Sequence, residues 1–411
     1  MLGVKTLCSL VLLATTATLS VSAETPQLRG SDDPVVVDAA AKSFANLEAF
    51  EQDVMELARK YGIALDDSAV AKEHLEHASD VMANDLRVIN KAKADASVAS
   101  PPAPEGGAVA RANRCKLTVD AAAPTSLKLN CNANTIRFAT IGDWGEKKTN
   151  AGLNAVRDAL LGAAGSLDFV VSVGDNFYSS GVSSITDSQW TNTWVSRYGI
   201  GSTLSVPWFS LLGNHDHYGN SNAQIEYSKA TQPGSKYWIM PSEFYNVDVT
   251  DARGKKLKLV VTDTETITDD DHSWVKQQIT DASAEFALVF GHYQVFSAGG
   301  RGDNKDAKVK RLNALLQDGG NKARAYLCGH EHDMQFLQSG KLDYFMLGGG
   351  GRKVDYGDVS PGTDAKVQFY ARNYGFGIFD VDIAARSMSV TYQVFDKNGR
   401  KVDTKVFQRS Y

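Results

Sequence analysis

From residue 135 onward the sequence predicts an α/β fold with a largely parallel sheet. Short apolar runs alternate there with segments of helical periodicity, which is the pattern of βαβ units. The run 167–173 is apolar at almost every position, as expected for a parallel strand buried on both faces. After residue 344 strand patterns follow one another with glycine turns between them. This last part therefore predicts a more antiparallel layer.

The predicted elements can be placed along the chain. We expect strands at 135–141, 167–173, 206–212, 256–262, 287–290 and 323–327, and in the tail at 344–347, 375–381, 389–395 and 401–407. We expect helices at 150–161, 188–198, 273–279 and 306–316.

The first 23 residues have the pattern of a secretory signal peptide. Lys5 precedes an apolar stretch, and Val21, Ser22 and Ala23 form a small-residue cleavage site. No later run approaches the ~20 apolar residues of a membrane-spanning helix. We expect a soluble, exported protein, either extracellular or in a lysosome or vacuole.

Residues 24–95 predict an acidic helical hairpin. Apolar residues recur there at three- and four-residue steps, first around Phe44 and Leu47 and again around Leu75 and Leu86. This segment holds 15 acidic and 8 basic side chains, against a formal net charge of −5 for the whole chain. It is either a pro-segment or an interaction module. A linker rich in Ala, Ser, Pro and Gly at 96–114 then leads to a catalytic domain at 115–411.

The composition of the whole chain, with 43% hydrophobic and 22% charged residues, is that of a globular protein. Because the charge outside 24–95 is near neutral, we expect no nucleic acid as a partner.

The cysteines fit an oxidising compartment. Cys115 and Cys131 flank a short segment and form the natural disulfide pair. Cys328 ends an apolar run, so we expect it to be a small core residue rather than a reactive thiol.

Five stretches place polar side chains directly after apolar strands. They are Gly142-Asp143-Trp144, Gly174-Asp175-Asn176-Phe177-Tyr178, Gly213-Asn214-His215-Asp216-His217, Gly291-His292-Tyr293 and Gly329-His330-Glu331-His332. Five of the eight histidines fall in these stretches. Because α/β sheets bind ligands at the carboxyl ends of their strands, we expect these groups to meet at one edge of one sheet.

The residue types in these stretches predict a site for two metal ions. Carboxylate and phenolate oxygens suit a highly charged ion such as Fe(III), whereas imidazole and amide oxygen suit a divalent ion. Two metal ions about 3.5–4 Å apart can hold a phosphate and activate water. The sequence therefore predicts hydrolysis of phosphate esters.

The five stretches match, in order, the motif blocks of a known family. From about residue 135 the chain resembles the purple acid phosphatases, in particular the small tartrate-resistant kind of the calcineurin-like metallophosphoesterase superfamily. The resemblance implies two packed mixed β-sheets flanked by helices. It also implies ligands for Fe(III) (Asp143, Tyr178 and His332), a bridging carboxylate (Asp175), and ligands for a divalent ion, Fe(II), Zn or Mn (Asn214, His292 and His330).

The same resemblance implies a mechanism for hydrolysis of phosphate monoesters. A metal-bound hydroxide attacks phosphorus in line, and His215 binds the phosphate and assists the leaving group. From the residues themselves, His217 is expected to support the metal ligands or the substrate edge without binding metal. The four glycines at 348–351 are expected either to let the backbone approach the metal site or to form a simple flexible turn.

Three features depart from the family pattern. Where the small enzymes carry a second histidine, this chain has Arg301, which cannot give up a proton near neutral pH and is expected to bind phosphate. The long protease-sensitive loop of the family has no room between Asp263 and Ser273. The acidic segment 24–95 has no counterpart in the small enzymes.

Two alternatives to a secreted acid phosphatase stay open at this stage. The same metal site could serve a phosphodiesterase or a nucleotide hydrolase. In a different class, a secreted binding protein would keep the fold and act through the hairpin 24–95.

Overall fold

The computed structural model of this protein describes residues 114–354 and 362–411. The predicted signal peptide, the helical hairpin 24–95 and nearly all of the linker 96–114 lie outside these residues. Among the described residues, no helix is both long enough and apolar enough to cross a membrane.

The described chain folds into two mixed β-sheets packed against each other, with helices on the outside. The strands are β1 (Cys115–Asp120), β2 (Ala123–Cys131), β3 (Thr135–Ile141), β4 (Phe169–Ser172), β5 (Trp208–Ser210), β6 (Trp238–Ile239), β7 (Tyr245–Thr250), β8 (Lys256–Val261), β9 (Phe286–Phe290), β10 (Ala323–Cys328), β11 (Met334–Ser339), β12 (Leu342–Leu347), β13 (Lys366–Ala371), β14 (Tyr374–Asp382), β15 (Ser387–Phe395) and β16 (Lys401–Ser410). One sheet has the order β1-β2-β7-β8-β9-β10-β12-β11-β13, and the other has the order β16-β15-β14-β3-β4-β5-β6.

The parallel strands predicted from the apolar runs are confirmed in both sheets. In the second sheet β3, β4, β5 and β6 are parallel. In the first sheet β8, β9, β10 and β12 are parallel. The last three strands of the tail are antiparallel, as predicted, because β14 pairs antiparallel with both β3 and β15, and β15 with β16. The first tail strand, predicted at 344–347, is part of β12 and is parallel to β10.

The helices are α1 (Ala151–Ala163), α2 (Asn214–His217), α3 (Ser221–Tyr227), α4 (Asp269–Ile279) and α5 (Ala307–Gln317). Side-chain caps explain where the longer ones begin: the Asn150 side chain accepts from Leu153 N–H, and Thr268 forms a capping box with Asp271. The helix expected at 188–198 differs. Its hydrogen-bonded centre, Trp190–Val195, is a π-helix, a form rarely visible in a sequence pattern.

Several strands had no clear sequence signal, among them β1, β7, β11 and β13. β1 and β13 are edge strands with mostly exposed or half-exposed side chains. An edge strand buries little, so it lacks the apolar alternation by which strands are found.

The main core lies between the two sheets. Phe138 of β3 stacks between Phe169 and Phe379, with ring centroids 4.8 and 4.9 Å away. Phe345 of β12 packs edge-on against Phe379, which joins the two sheets.

A disulfide joins Cys115 and Cys131, which face each other on the antiparallel pair β1–β2. Cys328 is a free, buried thiol. Both expectations from the sequence are confirmed.

The expectation that the five polar stretches meet at an edge of one sheet is wrong in one respect. Asp143, Asp175 and Asn214 follow β3, β4 and β5 of the seven-stranded sheet, whereas His292 and His330 follow β9 and β10 of the nine-stranded sheet. The carboxyl ends of the two sets of strands converge because the sheets are packed face to face. The site therefore lies between two sheets.

Candidate metal centre

The loops that carry the candidate ligands have an unusual backbone. Asp143, Asp175 and His330 have φ values of 58°, 52° and 70°, in the left-handed region that non-glycine residues rarely adopt. Gly174, just before Asp175, has a φ of 92°. Such conformations cost roughly 1–3 kcal/mol each and persist only where the surroundings impose them, often at functional sites.

At the centre are three buried residues from three different loops. One ligand atom each of Asp143, Asp175 and His292 lies within 4.8 Å of the other two. His292 Nε2 is 3.4 Å from Asp175 Oδ1. Two carboxylates and an imidazole in such proximity form a donor set typical of a metal site.

Tyr178 joins the two carboxylates. Its hydroxyl is 3.0 Å from Asp143 Oδ1 and 2.7 Å from Asp175 Oδ2. The same oxygen is 3.4 Å from His332 Nε2, which in turn is 3.5 Å from Asp143 Oδ1. Asp143, Asp175, Tyr178 and His332 thus present their ligand atoms to one small volume.

A second group lies on the other side of Asp175. Asn214 Oδ1 is 3.2 Å from His292 Nε2 and 3.0 Å from His330 Nδ1. His292 also approaches Asp175, so this carboxylate is shared between the two groups. All seven residues that the family resemblance assigns to metal therefore come together, with Asp175 in the middle.

The electrostatics of the cluster are those of a site that requires cations. Burial, and then the charge of Asp175, raises the pKa of Asp143 well above its usual range. Burial, and then the charge of Asp143, raises the pKa of Tyr178. Burial lowers the pKa of His292 and of His330. Crowded buried acids beside neutral imidazoles fit two bound metal ions, whose charge would compensate the carboxylates.

The candidate ligands are oriented by backbone carbonyls behind them. His292 Nδ1 is 2.8 Å from the Val173 carbonyl oxygen, and His332 Nδ1 is 3.0 Å from that of Lys353. Such contacts fix the tautomer of a ligating imidazole and the direction of its other nitrogen.

Asp216 connects two of the loops that carry candidate ligands. Its buried carboxylate accepts hydrogen bonds from the backbone N–H groups of Gly213, Asn176 and Phe177 and from the Gln224 side chain, at 2.8–3.2 Å. One anion thereby fixes the loop of Asp175 relative to the loop of Asn214 and His215.

His215 lies beside the cluster, as the sequence predicted. Its backbone N–H donates to Asp175 Oδ1 at 3.0 Å, and its Nδ1 is 2.7 Å from the Ser179 carbonyl oxygen. Its ring centroid is 4.6 Å from that of Tyr178. The ring is half-buried, so it faces both the cluster and solvent.

Arg301 lies at the rim. Its backbone N–H donates to Glu331 Oε1 at 2.8 Å, and its side chain is exposed. Glu331 stands between His330 and His332 in the sequence, so the backbone of Arg301 lies next to the loop that carries two candidate ligands.

His217 does not approach the candidate ligands in the described contacts. Its Nε2 is 2.6 Å from Asp263 Oδ2, a fully buried carboxylate after β8. This geometry agrees with the expectation that His217 does not bind metal directly, and its supporting role stays a prediction.

The four glycines at 348–351 allow close approach of the chain to the site. A Cβ on Gly348 would lie 2.1 Å from the Glu331 carbonyl oxygen and 2.8 Å from Asp143 Oδ2, and one on Gly350 would lie 2.2 Å from the Gly142 carbonyl oxygen. Neither position accepts a larger residue.

The sequence analysis did not identify two residues that contact the site, Arg352 and Tyr218. Arg352 donates its backbone N–H to the Asp143 carbonyl at 2.8 Å, places its guanidinium carbon 4.8 Å from the Tyr178 ring centroid, and pairs with Glu146. Tyr218 packs on His215 with ring centroids 5.2 Å apart. The position of each, directly after a motif stretch, was the only available signal.

Comparison with known proteins gives a consistent result. The model of the calcineurin-like phosphoesterase family matches residues 136–334. Tartrate-resistant acid phosphatase type 5 of Homo sapiens is 34% identical over 295 residues, which cover 62% of this chain and 86% of the human protein. Purple acid phosphatase 3 of Arabidopsis thaliana is 29% identical over 290 residues, which cover 64% of this chain and 75% of the plant protein.

Among solved structures, GAP50, the anchor in the inner membrane complex of Plasmodium, aligns with a TM-score of 0.56. The alignment covers 66% of this chain and 88% of GAP50 at 23% identity, and it shows a shared fold alone.

Proposed function

The chain belongs to the purple acid phosphatase family of calcineurin-like phosphoesterases, and we propose that it is a secreted acid phosphatase that hydrolyses phosphate monoesters at a dinuclear Fe(III)–M(II) centre. The observation that supports this most is the position of Asp175, which contacts Tyr178 on one side and His292 on the other. A single carboxylate between two donor groups is what a pair of adjacent metal ions requires.

The donor types divide the cluster between two different ions. Asp143, Tyr178 and His332 would hold Fe(III), for which carboxylate and phenolate oxygens are suitable donors. Asn214, His292 and His330 would hold Fe(II), Zn or Mn. When bound, the two ions would polarise the phosphate and lower the pKa of water, which would supply a hydroxide for hydrolysis of the ester.

His215 then has two tasks in this proposal. The Ser179 carbonyl accepts the proton of Nδ1, which leaves Nε2 directed to the substrate. When the ring is protonated, Nε2–H binds a phosphate oxygen and can pass its proton to the departing alkoxide oxygen. Arg301 at the rim would add a fixed positive charge for the phosphate group.

The alternatives have less support. A diesterase or nucleotide hydrolase would use the same cluster, but the relatives compared above are acid phosphatases. A pure binding protein acting through residues 24–95 would not need seven converging donor side chains. We also propose that residues 1–23 direct export and that 24–95 is a separate helical module before the catalytic domain 115–411.

The test is turnover and metal analysis on the same purified protein. We expect faster hydrolysis of a phosphate monoester than of a diester, about one iron and one further metal per chain, and a broad visible absorption band that Tyr178→Phe removes while iron stays bound. His215→Asn is expected to lower kcat by about a hundredfold, the size of a general acid contribution, with metal content unchanged.

A protein that hydrolyses the diester faster would favour the diesterase alternative. A metal-loaded protein without turnover on either ester would overturn the proposal. Analysis of culture medium for a chain that begins after Ala23 would test export, and its absence from the medium would contradict the proposed export.

A further inference from the structure

Tyr218 is exposed in a way that packing does not explain. Its side chain is 65% exposed, and the other large apolar side chains with similar exposure in the described residues are valines on β1, β13 and β16 (Val119, Val367, Val402 and Val406). Burial of a residue of this size normally stabilises the fold. A tyrosine ring left in water therefore calls for a reason other than stability.

The ring is nevertheless held in a defined position. It packs edge-to-face on His215, with centroids 5.2 Å apart and an interplanar angle of 74°. Its hydroxyl lies 3.4 Å from Asn214 Nδ2. Tyr218 thus contacts both the proposed phosphate-binding residue and a proposed metal ligand.

Hydrogen bonds hold the backbone that follows Tyr218. Gly219 N–H donates to the Asp216 carbonyl at 3.2 Å, and Asn220 N–H donates to the Val182 carbonyl at 2.8 Å. Gly219 packs so close that a Cβ there would lie 2.1 Å from the Ser180 carbonyl oxygen. This loop cannot move away from the site without losing these contacts.

The position of the ring relative to the cluster decides what it would meet. Asp143, Asp175 and His292 are buried, so the organic part of a bound ester must extend from them toward solvent. A phosphate held by His215 would lie beside Tyr218, because Tyr218 packs on His215. The ring of Tyr293 lies 4.6 Å from that of His330.

We propose that Tyr218 is a specificity-determining residue, an aromatic surface that receives the leaving group, and that it favours phosphate esters of planar aromatic alcohols over those of aliphatic alcohols. The inference rests on the proposed function. An aryl group attached directly to the ester oxygen reaches the ring and can stack on it or pack edge-on, whereas an aliphatic group offers less contact area and no ring.

The experiment compares two substrates and two inhibitors in the full-length metal-loaded protein. Phenyl phosphate and 2-glycerol phosphate are hydrolysed by wild type, Tyr218→Leu and Tyr218→Phe, and Ki values are measured for phenylphosphonate and methylphosphonate. Tyr237→Leu is the matched control: this half-exposed tyrosine contacts Lys236 and Gly201, which lie outside the site.

We expect Tyr218→Leu to lower kcat/KM for phenyl phosphate about two- to tenfold, mainly through KM, the range for one aromatic pair. The loss for 2-glycerol phosphate should be smaller than the loss for phenyl phosphate, and Ki should rise more for phenylphosphonate than for methylphosphonate. Tyr218→Phe and Tyr237→Leu should keep the wild-type ratio. Comparing each variant with wild type on the same substrate cancels the intrinsic reactivity of the two esters.

An unchanged ratio of the two kcat/KM values in Tyr218→Leu would overturn the inference while leaving the phosphatase intact. An equal loss in Tyr218→Phe would also overturn it, because the hydroxyl rather than the ring would then be responsible. If wild type hydrolysed neither ester, the proposed function would fail, and dissociation constants of phenylphosphonate and methylphosphonate measured by calorimetry on wild type and Tyr218→Leu would still decide whether the ring selects aryl groups.

Discussion

Arg352 lies over the ring of Tyr178, with its guanidinium carbon 4.8 Å from the ring centroid. The two residues lie in loops of different sheets: Tyr178 follows β4 and Arg352 follows β12. Arg352 is held there by its pair with Glu146 and by the bond from its N–H to the Asp143 carbonyl. A permanent positive charge therefore lies against the side chain that is proposed to bind Fe(III) as a phenolate.

Replacement of Arg352 should change the colour of the iron-loaded protein. The visible band arises from transfer of an electron from the phenolate to Fe(III), and the guanidinium charge stabilises the electrons on the phenolate. Its loss in Arg352→Leu should lower the transfer energy and shift the band to longer wavelength. Arg352→Lys keeps a positive charge and should shift the band less. Loss of the cation–π contact should also lower the free energy of unfolding by about 1 kcal/mol. An absorption spectrum and a urea titration measure the two effects, and an unmoved band would show that the charge does not act on Tyr178.

Removal of one central carboxylate should have opposite effects on function and on the metal-free protein. Asp175→Asn should lower metal content and turnover by at least about a hundredfold, since even outer residues of metal sites contribute 10–100-fold. Without metal, the variant should melt at a higher temperature than wild type, because the repulsion between Asp175 and Asp143 is gone. Thermal unfolding of both proteins in EDTA is the measurement, and a lower Tm of the variant would contradict this account.

Asp216 should matter for stability more than any surface carboxylate. Both carboxylate oxygens of Asp216 accept hydrogen bonds from N–H donors. In Asp216→Asn the new NH₂ group would therefore face an N–H donor in either orientation of the side chain. We expect a loss of about 3 kcal/mol in the free energy of unfolding. Asp382→Asn is the control: it removes an exposed pair with Arg253 and should cost at most about 1 kcal/mol. Equal losses for the two variants would rule out the proposed role of Asp216.

The pair of His217 and Asp263 predicts a pH-dependent contribution to stability. Burial lowers the pKa of His217, but the hydrogen bond and charge of Asp263 outweigh it, so that the pKa is raised above 6.5. The pair therefore stabilises the fold fully below pH 6.5 and loses this contribution as the pH rises through the raised pKa. His217→Gln should cost roughly 1–2 kcal/mol at pH 5 and less at pH 9. Urea titrations at both values test the sign, and a larger cost at pH 9 would reverse it.

The disulfide should support stability and not activity. Cys115 and Cys131 are 16 residues apart, and a loop of this length predicts a loss of roughly 3 kcal/mol when both are replaced by Ala. Because β1 is the edge strand of its sheet, separated from β9 by β2, β7 and β8, turnover of the folded variant should be unchanged. Loss of turnover in the folded variant would show that the hairpin affects the site.

Local features of the sequence were sufficient to identify the residues that could form a metal centre and most of the elements that carry them. Asp143, Asp175 and Asn214 each follow an apolar run, and both that run and the ligand after it are local features of the chain. The strand Thr135–Ile141 and the pairing of Cys115 with Cys131 were predictable for the same reason.

The contacts between the candidate ligands could be seen only in the folded protein. That Tyr178 touches both carboxylates, and that ligands arrive from two sheets rather than one, depends on packing between distant segments. The same holds for Arg352 over Tyr178 and for Asp263 against His217. Strand periodicity reports which side of a strand is buried, but it contains no information on which other strand lies against it, so contacts between loops of different sheets appear only when the two sheets pack.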